Sequence, residues 1–182
     1  YAYTPFGEIS TLGDANGNVT MLHYDERGLQ TSVESADTGR RSSVWNAFGE
    51  LVSQTDALSP ANTINFSYDQ LGRLIQRSDS GQSPTIWTFH TASGPLLGLP
   101  QRVTAPLGSA PAGFVEQYGY DALGRRTSLS TTIDGTTYVT GYGWDSLGRV
   151  ATMSYPQTVD GAQVSLAYHY DSTGNLDVVE QD

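Results

Sequence analysis

A seven-residue motif recurs along the chain, and this repetition constrains the fold more than any other feature. The motif is an aromatic residue, Asp, two variable residues, Gly, Arg and an apolar residue. Neighbouring copies mostly lie about 20–28 residues apart, a spacing typical of repeat architectures in which each unit packs mainly on its neighbours. Strong copies begin at Tyr68, Tyr120 and Trp144, and looser ones begin at Tyr3, Tyr24, Trp45 and Tyr170.

The Asp-x-x-Gly centre of the motif predicts a three-residue hairpin loop. Asp can accept the backbone N–H two residues later, and Gly takes positive φ without a Cβ penalty, as a type I turn with a G1 bulge requires. This geometry places Asp opposite the residue after Gly, and the aromatic opposite the next residue. Because neighbouring strand positions face opposite sides, we expect Asp and Arg to pair on one face while the aromatic covers an apolar residue on the other.

The sequence supports this pairing. Arg follows Gly three times, always opposite Asp, whereas Glu follows Gly twice, opposite the uncharged Thr4 and Asn46. The residues opposite the aromatics are Ile9, Leu51, Leu74, Val150 and Leu176, with Arg126 as the exception. The predicted structural residues of the turns are the aromatics Tyr3, Tyr24, Trp45, Tyr68, Tyr120, Trp144 and Tyr170, the aspartates Asp69, Asp121, Asp145 and Asp171, the glycines Gly7, Gly28, Gly49, Gly72, Gly124, Gly148 and Gly174, and the arginines Arg73, Arg125 and Arg149.

A second set of turns lies between the first. Asp134-Gly135 and Asp160-Gly161 predict two-residue hairpins. Looser equivalents are Asp14-Ala15-Asn16-Gly17, Asp37-Thr38-Gly39 and Asp79-Ser80-Gly81, and we expect a Pro106 turn over residues 104–108 and a turn without Gly over residues 55–59. Turns every 9–13 residues, except near residues 90–124, predict an all-β, continuous antiparallel meander of about fifteen short strands.

Apolar residues alternate clearly only in the strands that enter the aromatic turns. In the strands that leave these turns, Leu129, Ile133, Met153 and Tyr155 fall on the opposite face from the aromatics when counted by simple alternation. We therefore expect both faces to be partly covered. Residues 1–182 are predicted to form a single repeat segment, with residues 79–115, which hold five of the eight prolines, as either an irregular repeat or a linker.

Composition limits the partners of the chain. Hydrophobic residues make up 37%, so burial is thin, and the absence of cysteine excludes disulfides and thiolate metal sites. All nine basic residues are Arg, and the net charge of −10 argues against nucleic acid as a partner. No apolar run approaches the roughly 18 residues of a transmembrane helix, so we expect no membrane insertion by this segment. The chain begins at Tyr1 without Met and stops at Asp182 in mid-pattern, which predicts a fragment.

The repeated Tyr-Asp-x-x-Gly-Arg-Leu motif resembles the signature of the Rhs, or YD-repeat, family. This family includes the B and C components of insecticidal toxin complexes, bacterial Rhs polymorphic toxins and, more distantly, teneurins. The resemblance implies a curved or spiralling sheet in the wall of a hollow shell that encloses a C-terminal toxin domain. It also implies a secreted or cell-surface bacterial protein whose partners are the rest of the shell, its toxin and a toxin-delivery component.

Other functions are weighed against this structural role. The three histidines, His23, His90 and His169, have no metal-ligand spacing, and no Gly-x-Ser-x-Gly motif supports a catalytic triad. Asp14-x-Asn16-x-Asn18 begins like a calcium loop but has no distal acidic ligand. We predict no catalytic residue, metal or cofactor, and hence no enzyme. The alternative is a carbohydrate-binding or adhesion module that uses exposed Tyr and Trp side chains.

Overall fold

The computed structural model describes residues 1–58, 60–107 and 110–181, and these residues form strands and turns with no helix. The contacts divide the chain into two units, Tyr1–Pro84 and Thr85–Asp182. The boundary falls within residues 79–115, the segment in which the sequence predicts an irregular repeat or a linker. The all-β prediction is confirmed, with sixteen strands where about fifteen are expected.

The first unit is an antiparallel meander of eight strands. Each strand pairs with the next one in the chain, and every motif aromatic of this unit is the last residue of its strand. The strands are β1 (Ala2–Tyr3), β2 (Ile9–Gly13), β3 (Val19–Tyr24), β4 (Gln30–Ser35), β5 (Gly39–Trp45), β6 (Leu51–Thr55), β7 (Thr63–Tyr68) and β8 (Leu74–Asp79).

The second unit repeats the same arrangement. Its strands also pair in chain order, and the motif aromatics again end the strands that enter the turns. The segment 85–107 contains two of these strands, so it carries regular pairing despite its prolines. The strands are β9 (Thr85–Phe89), β10 (Pro100–Leu107), β11 (Ala110–Tyr120), β12 (Arg126–Ile133), β13 (Thr136–Trp144), β14 (Val150–Ser154), β15 (Ser165–Tyr170) and β16 (Leu176–Gln181).

Neither unit has a closed hydrophobic core. Among the described residues no hydrophobic side chain is fully buried, and Ser32 is the one buried polar residue. A two-stranded hairpin is marginal in water by itself. Each hairpin therefore depends on strand pairing and on contacts with its neighbours along the strip.

A second β-bulge follows every aromatic turn, and it corrects the predicted faces of the outgoing strands. Trp144 pairs with Val150 but Gly143 pairs with Thr152, so one residue of β14 is extra; the same shift occurs after each motif aromatic. The bulge turns the rest of the strand over. Met153 consequently pairs with Tyr142 on the aromatic face. Leu129 likewise pairs with Tyr118 and Ile133 with Phe114. The expectation that these apolar residues lie on the opposite face is wrong.

Some of the intervening turns are as predicted. Asp134 and Gly135 both have positive φ, at 47° and 82°, and join Ile133 to Thr136 as a two-residue hairpin. Asp14 forms the same loop as the aromatic turns, since its N–H donates to the Asn18 carbonyl and its carbonyl accepts the Gly17 N–H. Gly39 and Gly81 also have positive φ at the two looser turns.

Three other turn predictions are wrong. Asp160-Gly161 is not a two-residue hairpin, because Thr158 takes the Asp role and its N–H donates to the Ala162 carbonyl at 2.8 Å. The turn at residues 55–59 is a longer loop, because the Asp56 N–H donates to the Asn62 carbonyl.

Pro106 does not open a turn at residues 104–108. It lies within β10, where the register shifts between Ala105 and Leu107, and a proline without an N–H suits such an irregular position. Gly108 and Ser59, which belong to the predicted turns, lie outside the described residues.

Candidate functional site

The aromatic turns have one backbone geometry throughout. At Asp69, Asp121, Asp145 and Asp171 the Asp N–H donates to the carbonyl of the residue after Gly, at 2.9–3.0 Å, and the Gly N–H donates back to the Asp carbonyl. The glycines of all seven turns have positive φ, from 74° at Gly72 to 93° at Gly7. The predicted type I turn with a left-handed glycine is therefore present.

The carboxylate of each motif Asp is engaged within its own turn. Oδ1 of Asp69 accepts the Leu71 and Arg73 N–H groups at 2.9 and 3.0 Å, and Oδ2 accepts the Arg73 Nε–H at 2.7 Å. The hydrogen bond from the Arg73 side chain lowers the pKa of Asp69 below its ordinary value. In the last turn, hydrogen bonds from the Thr173 hydroxyl and then the Asn175 N–H lower the pKa of Asp171 to about 2.

The charge pairing follows the sequence pattern. Arg73, Arg125 and Arg149 pair with the Asp of their own turns at 2.6–2.7 Å, and these side chains are half-buried. Where Glu follows Gly, its carboxylate instead accepts a hydrogen bond, from Asn46 to Glu50 at 2.6 Å and from Thr4 to Glu8.

The second turn departs from this scheme because its arginine lies inside the loop. Arg27 pairs with Asp25 at 2.9 Å, and its Nη1–H donates to the Asn46 carbonyl of the next turn at 2.8 Å.

A hydrogen bond from the tip of five of the seven motif aromatics joins consecutive repeats within a unit, and we call this set the aromatic ladder. The Tyr68 hydroxyl donates to the Leu51 carbonyl at 2.9 Å, and the Trp144 indole N–H donates to the Arg126 carbonyl at 2.8 Å. Every acceptor is the residue paired with the previous aromatic. The other pairs are Tyr24 to Ile9 at 3.0 Å, Trp45 to Gln30 at 2.9 Å and Tyr170 to Val150 at 2.8 Å.

The motif alone does not predict this ladder, although the sequence contains a signal for it. All seven motif aromatics are Tyr or Trp and none is Phe, although the chain contains five Phe. Tyr and Trp carry a hydrogen-bond donor at the end of an apolar ring, and Phe does not. The choice of aromatic therefore indicates that the tip of the side chain has a partner.

Arginines also cross from one repeat to the next. The guanidinium of Arg149 lies 4.1 Å from the ring centroid of Tyr170, and that of Arg125 lies 5.5 Å from the Trp144 ring. These are cation–π distances. The prediction that the ion pair and the aromatics occupy separate faces is wrong, because it treats each hairpin alone and the arginine contacts the ring of the following hairpin.

At two turns the glutamate that follows the preceding turn glycine also restricts which residue can occupy the glycine position. A Cβ at Gly72 would lie 2.9 Å from Glu50 Oε1, and a Cβ at Gly28 would lie 3.3 Å from Glu8 Oε1. Glycine is thus favoured there both by its positive φ and by the carboxylate beside it.

Tyr120 differs from the other motif aromatics. Its ring meets His90 edge to face at 5.8 Å, and its strand partner Arg126 lies over Tyr118 instead, 5.0 Å from that ring. The Tyr118 hydroxyl donates to Glu116 at 2.6 Å. Burial, and then this hydrogen bond to Glu116, raise the pKa of Tyr118 to about 12.

The other candidate residues are two histidines and the Asp14 carboxylate, and their neighbours all belong to this chain. His90 Nε2 is buried without a hydrogen-bond partner among the described residues, and His169 Nε2 lies 3.3 Å from Glu180. The Asp14 carboxylate accepts hydrogen bonds from the Asn16 N–H and from the N–H and amide of Asn18, all at 2.8 Å. Within the described ranges, no group of three His, Asp or Glu side chains is arranged to hold a metal. The same residues include no helix able to span a membrane.

Comparisons with known proteins give relatives that are much longer than this chain. The chain is 32% identical over 146 residues to Double-stranded DNA deaminase toxin A of Burkholderia cenocepacia (strain H111), covering 79% of the chain and 9% of that protein. No family model matches.

Two crystal structures, of TcdB2-TccC3-TEV and TcdB2-TccC3-Cdc42, match the whole chain with TM-scores of 0.73 and 0.74. The chain has the fold of part of TcdB2-TccC3. Sequence identity to both is 14%, and the chain spans about a tenth of the length of each protein it matches.

Proposed function

We propose that this chain is a non-catalytic wall segment of a larger YD-repeat protein, in which a curved or spiralling strip encloses a C-terminal toxin or effector domain. The aromatic ladder carries the proposal. Within each unit it joins hairpins with consecutive motifs through a backbone carbonyl, so the strip extends by adding repeats and does not close on a core. Such an arrangement gives a thin, continuous surface whose stability comes from neighbour contacts.

The similar proteins support this proposal in two ways. One relative is named a toxin, and the fold is that of part of TcdB2-TccC3. The chain corresponds to about a tenth of each of them, which suits one stretch of a wall. We propose that its partners are the remainder of the parent protein, the enclosed toxin domain and a delivery component, and that the parent is secreted or held at the bacterial surface.

We also propose that the segment has no catalytic activity. Catalytic carboxylates need to reach a substrate, but those of Asp69, Asp121 and Asp145 each accept two backbone N–H groups and an arginine within the turn. Turnover of glycoside, ester or nucleic-acid substrates by the purified segment would contradict this part of the proposal.

The carbohydrate-binding alternative needs free aromatic faces. Trp144 and Tyr170 are half-buried, their tips hydrogen-bond to the preceding repeat, and an arginine lies over each ring. These contacts favour a cohesive role for the aromatics. Glycan-array binding that is lost in Trp144→Ala, with the fold intact by circular dichroism, would favour the adhesion module instead.

The container role is tested on the full-length parent protein. We expect electron cryomicroscopy to place this segment in the wall of a closed cavity, and limited proteolysis to leave the C-terminal domain intact. Combining Tyr68→Phe with Gly124→Val should weaken the wall and expose that domain to protease. A segment that projects from the surface, or a C-terminal domain equally protected in the weakened variant, would contradict the proposal.

A further inference from the structure

At three of the turns the side chain after one turn glycine reaches the glycine of the following turn, but the charge of that side chain differs between repeats. Arg149 Nη1 lies 3.7 Å from where a Cβ of Gly174 would be, and Glu50 Oε1 lies 2.9 Å from the same point at Gly72. Both side chains therefore reach the glycine of the following turn. The position is cationic at Arg73, Arg125 and Arg149, and it is acidic at Glu8 and Glu50 of the first unit.

At two repeats of the second unit the chain fills this position with its own arginines. Arg149 pairs with Asp145 at 2.7 Å while its guanidinium lies 4.1 Å from the centre of the Tyr170 ring. Arg125 takes the corresponding place beside Trp144, at 5.5 Å. A guanidinium held between a carboxylate and an aromatic ring is thus part of this repeat.

At Glu8 and Glu50 of the first unit the corresponding places are open grooves. A groove of about 830 Å³ is lined by Glu50, Phe48, Tyr68 and Leu71, and one of about 490 Å³ is lined by Glu8, Phe6 and Tyr24. The two grooves use the same repeat positions. Each contains a carboxylate, the next tyrosine and a phenylalanine at the turn tip, and Phe48 and Phe6 are 89% and 90% exposed.

The electrostatics of the larger groove suit a cation. Burial, and then the charge of Glu50, raise the pKa of Tyr68, which places the carboxylate close to the phenol ring. The chain as a whole carries a net charge of −10 and has no lysine. A positively charged side chain would be attracted over long range and could pair with Glu50 over the Tyr68 ring.

We propose that the Glu50–Tyr68 and Glu8–Tyr24 grooves bind arginine side chains of a separate basic polypeptide. The incoming guanidinium would pair with the glutamate and lie on the tyrosine, as Arg149 does with Asp145 and Tyr170. Phe48 and Phe6 would cover the aliphatic part of the arginine. This inference does not depend on the container role, since it uses only grooves within the first unit.

The spacing of the grooves specifies the ligand. One groove lies between β2 and β3 and the other between β6 and β7, four strand positions apart. At about 4.8 Å per strand the separation is roughly 19 Å, which an extended peptide spans in about six residues at ~3.3 Å each. A segment with arginines six residues apart can therefore occupy both grooves.

The probe is a synthetic Gly/Ser peptide with two arginines six residues apart, titrated into the ¹⁵N-labelled 182-residue chain. We expect saturable amide shifts at Tyr68, Leu71 and Tyr24. A peptide with its arginines two residues apart carries the same charge but cannot span both grooves, so it should bind more weakly. Replacing arginine by citrulline keeps the shape and removes the charge, and should abolish the shifts.

Variants of the chain distinguish binding in the groove from general electrostatic attraction to the acidic chain. Glu50→Gln should weaken binding about two- to fivefold, as expected for loss of an exposed ion pair, whereas Asp177→Asn removes an equal charge on β16 and should have no such effect. The double substitution Asn46→Asp with Glu50→Arg recreates the Asp145–Arg149 pair and should block the groove while the fold is retained.

Each of three results would overturn the proposal. The first is the absence of shifts at millimolar peptide, and the second is equal binding of the citrulline peptide. The third is a loss in Asp177→Asn that matches the loss in Glu50→Gln.

Discussion

The hydroxyl of Tyr170 donates a hydrogen bond to the backbone carbonyl of Val150, 2.8 Å away in the preceding repeat. Val150 is itself the strand partner of Trp144, whose indole reaches back to Arg126 in the same manner. The residue that packs beside one aromatic therefore accepts the hydrogen bond of the next. The aromatic ladder therefore explains how short hairpins without a buried core stabilise one another.

Tyr170→Phe tests the energy of one ladder bond. It removes the donor, keeps the ring and leaves the Val150 carbonyl without this partner, so unfolding free energy should fall by about 0.5–1.5 kcal/mol. Urea denaturation measures the change. Tyr138→Phe is the control, because Tyr138 is exposed and its hydroxyl belongs to no hydrogen bond found in the described residues. Equal losses in both variants would contradict a specific role for the ladder.

Gly124→Val should be more destabilising than Asp121→Ala. Gly124 has a φ of +79°, and an added Cβ would lie 2.9 Å from the Pro95 carbonyl oxygen, so we expect a loss of at least about 1–2 kcal/mol. Asp121→Ala loses a half-buried ion pair and two backbone hydrogen bonds but creates no clash or backbone strain, so it should cost less.

Gly13→Ala provides the control for the glycine substitution. Gly13 has no positive φ, and a Cβ there would meet nothing within 4 Å. Thermal melts in which Gly124→Val and Asp121→Ala are equally harmless would contradict the assigned turn.

Arg149→Lys should destabilise the chain although the charge is retained. Lysine cannot reproduce the planar contact with Tyr170 together with the hydrogen bonds to Asp145, and a loss of about 0.5–1 kcal/mol is expected. The control is Arg102→Lys, at an exposed arginine on β10. A loss in Arg149→Lys no larger than that in the control would show that the ring contact contributes nothing.

Acid should weaken the turns in a defined pH range. The pKa of Asp171 is about 2 in the folded chain against an ordinary value of 3.8, so its stabilising contribution is complete above about pH 4. Below about pH 4 the carboxyl group takes up a proton in the unfolded state before it does so in the folded state. The contribution is therefore lost as pH falls from about 4 towards 2.

Urea midpoints measured from pH 5 to pH 2 provide the test. The slope should be shallower in Asp171→Asn than in the parent chain. An unchanged slope in Asp171→Asn would exclude this carboxylate as a source of the acid sensitivity.

The local turns could be predicted from the sequence, but the contacts between repeats could not. Asp-x-x-Gly specifies a loop because both residues act within it, and so Asp69 and Gly72 behave as expected. The extra residue in the bulge beside each aromatic pair is of no particular residue type and cannot be recognised in the sequence. Simple alternation therefore places Met153 on the wrong face.

Long-range contacts depend on how hairpins lie side by side. The contact of Arg149 with Tyr170 joins residues that are distant in sequence, and no pattern within one motif encodes it. The preference for Tyr and Trp over Phe is a signal only for the hydrogen bonds that the aromatic tips donate between repeats.

The most direct test of the ladder is native-state hydrogen exchange on Tyr68→Phe. The Tyr68 hydroxyl lies at the end of β7, but its acceptor Leu51 begins β6 in the preceding repeat. We expect faster exchange in the β5–β6 hairpin as well as in the turn at residues 69–72. Faster exchange confined to residues 69–72, with the β5–β6 hairpin unchanged, would contradict the claim that the aromatic tips join the repeats.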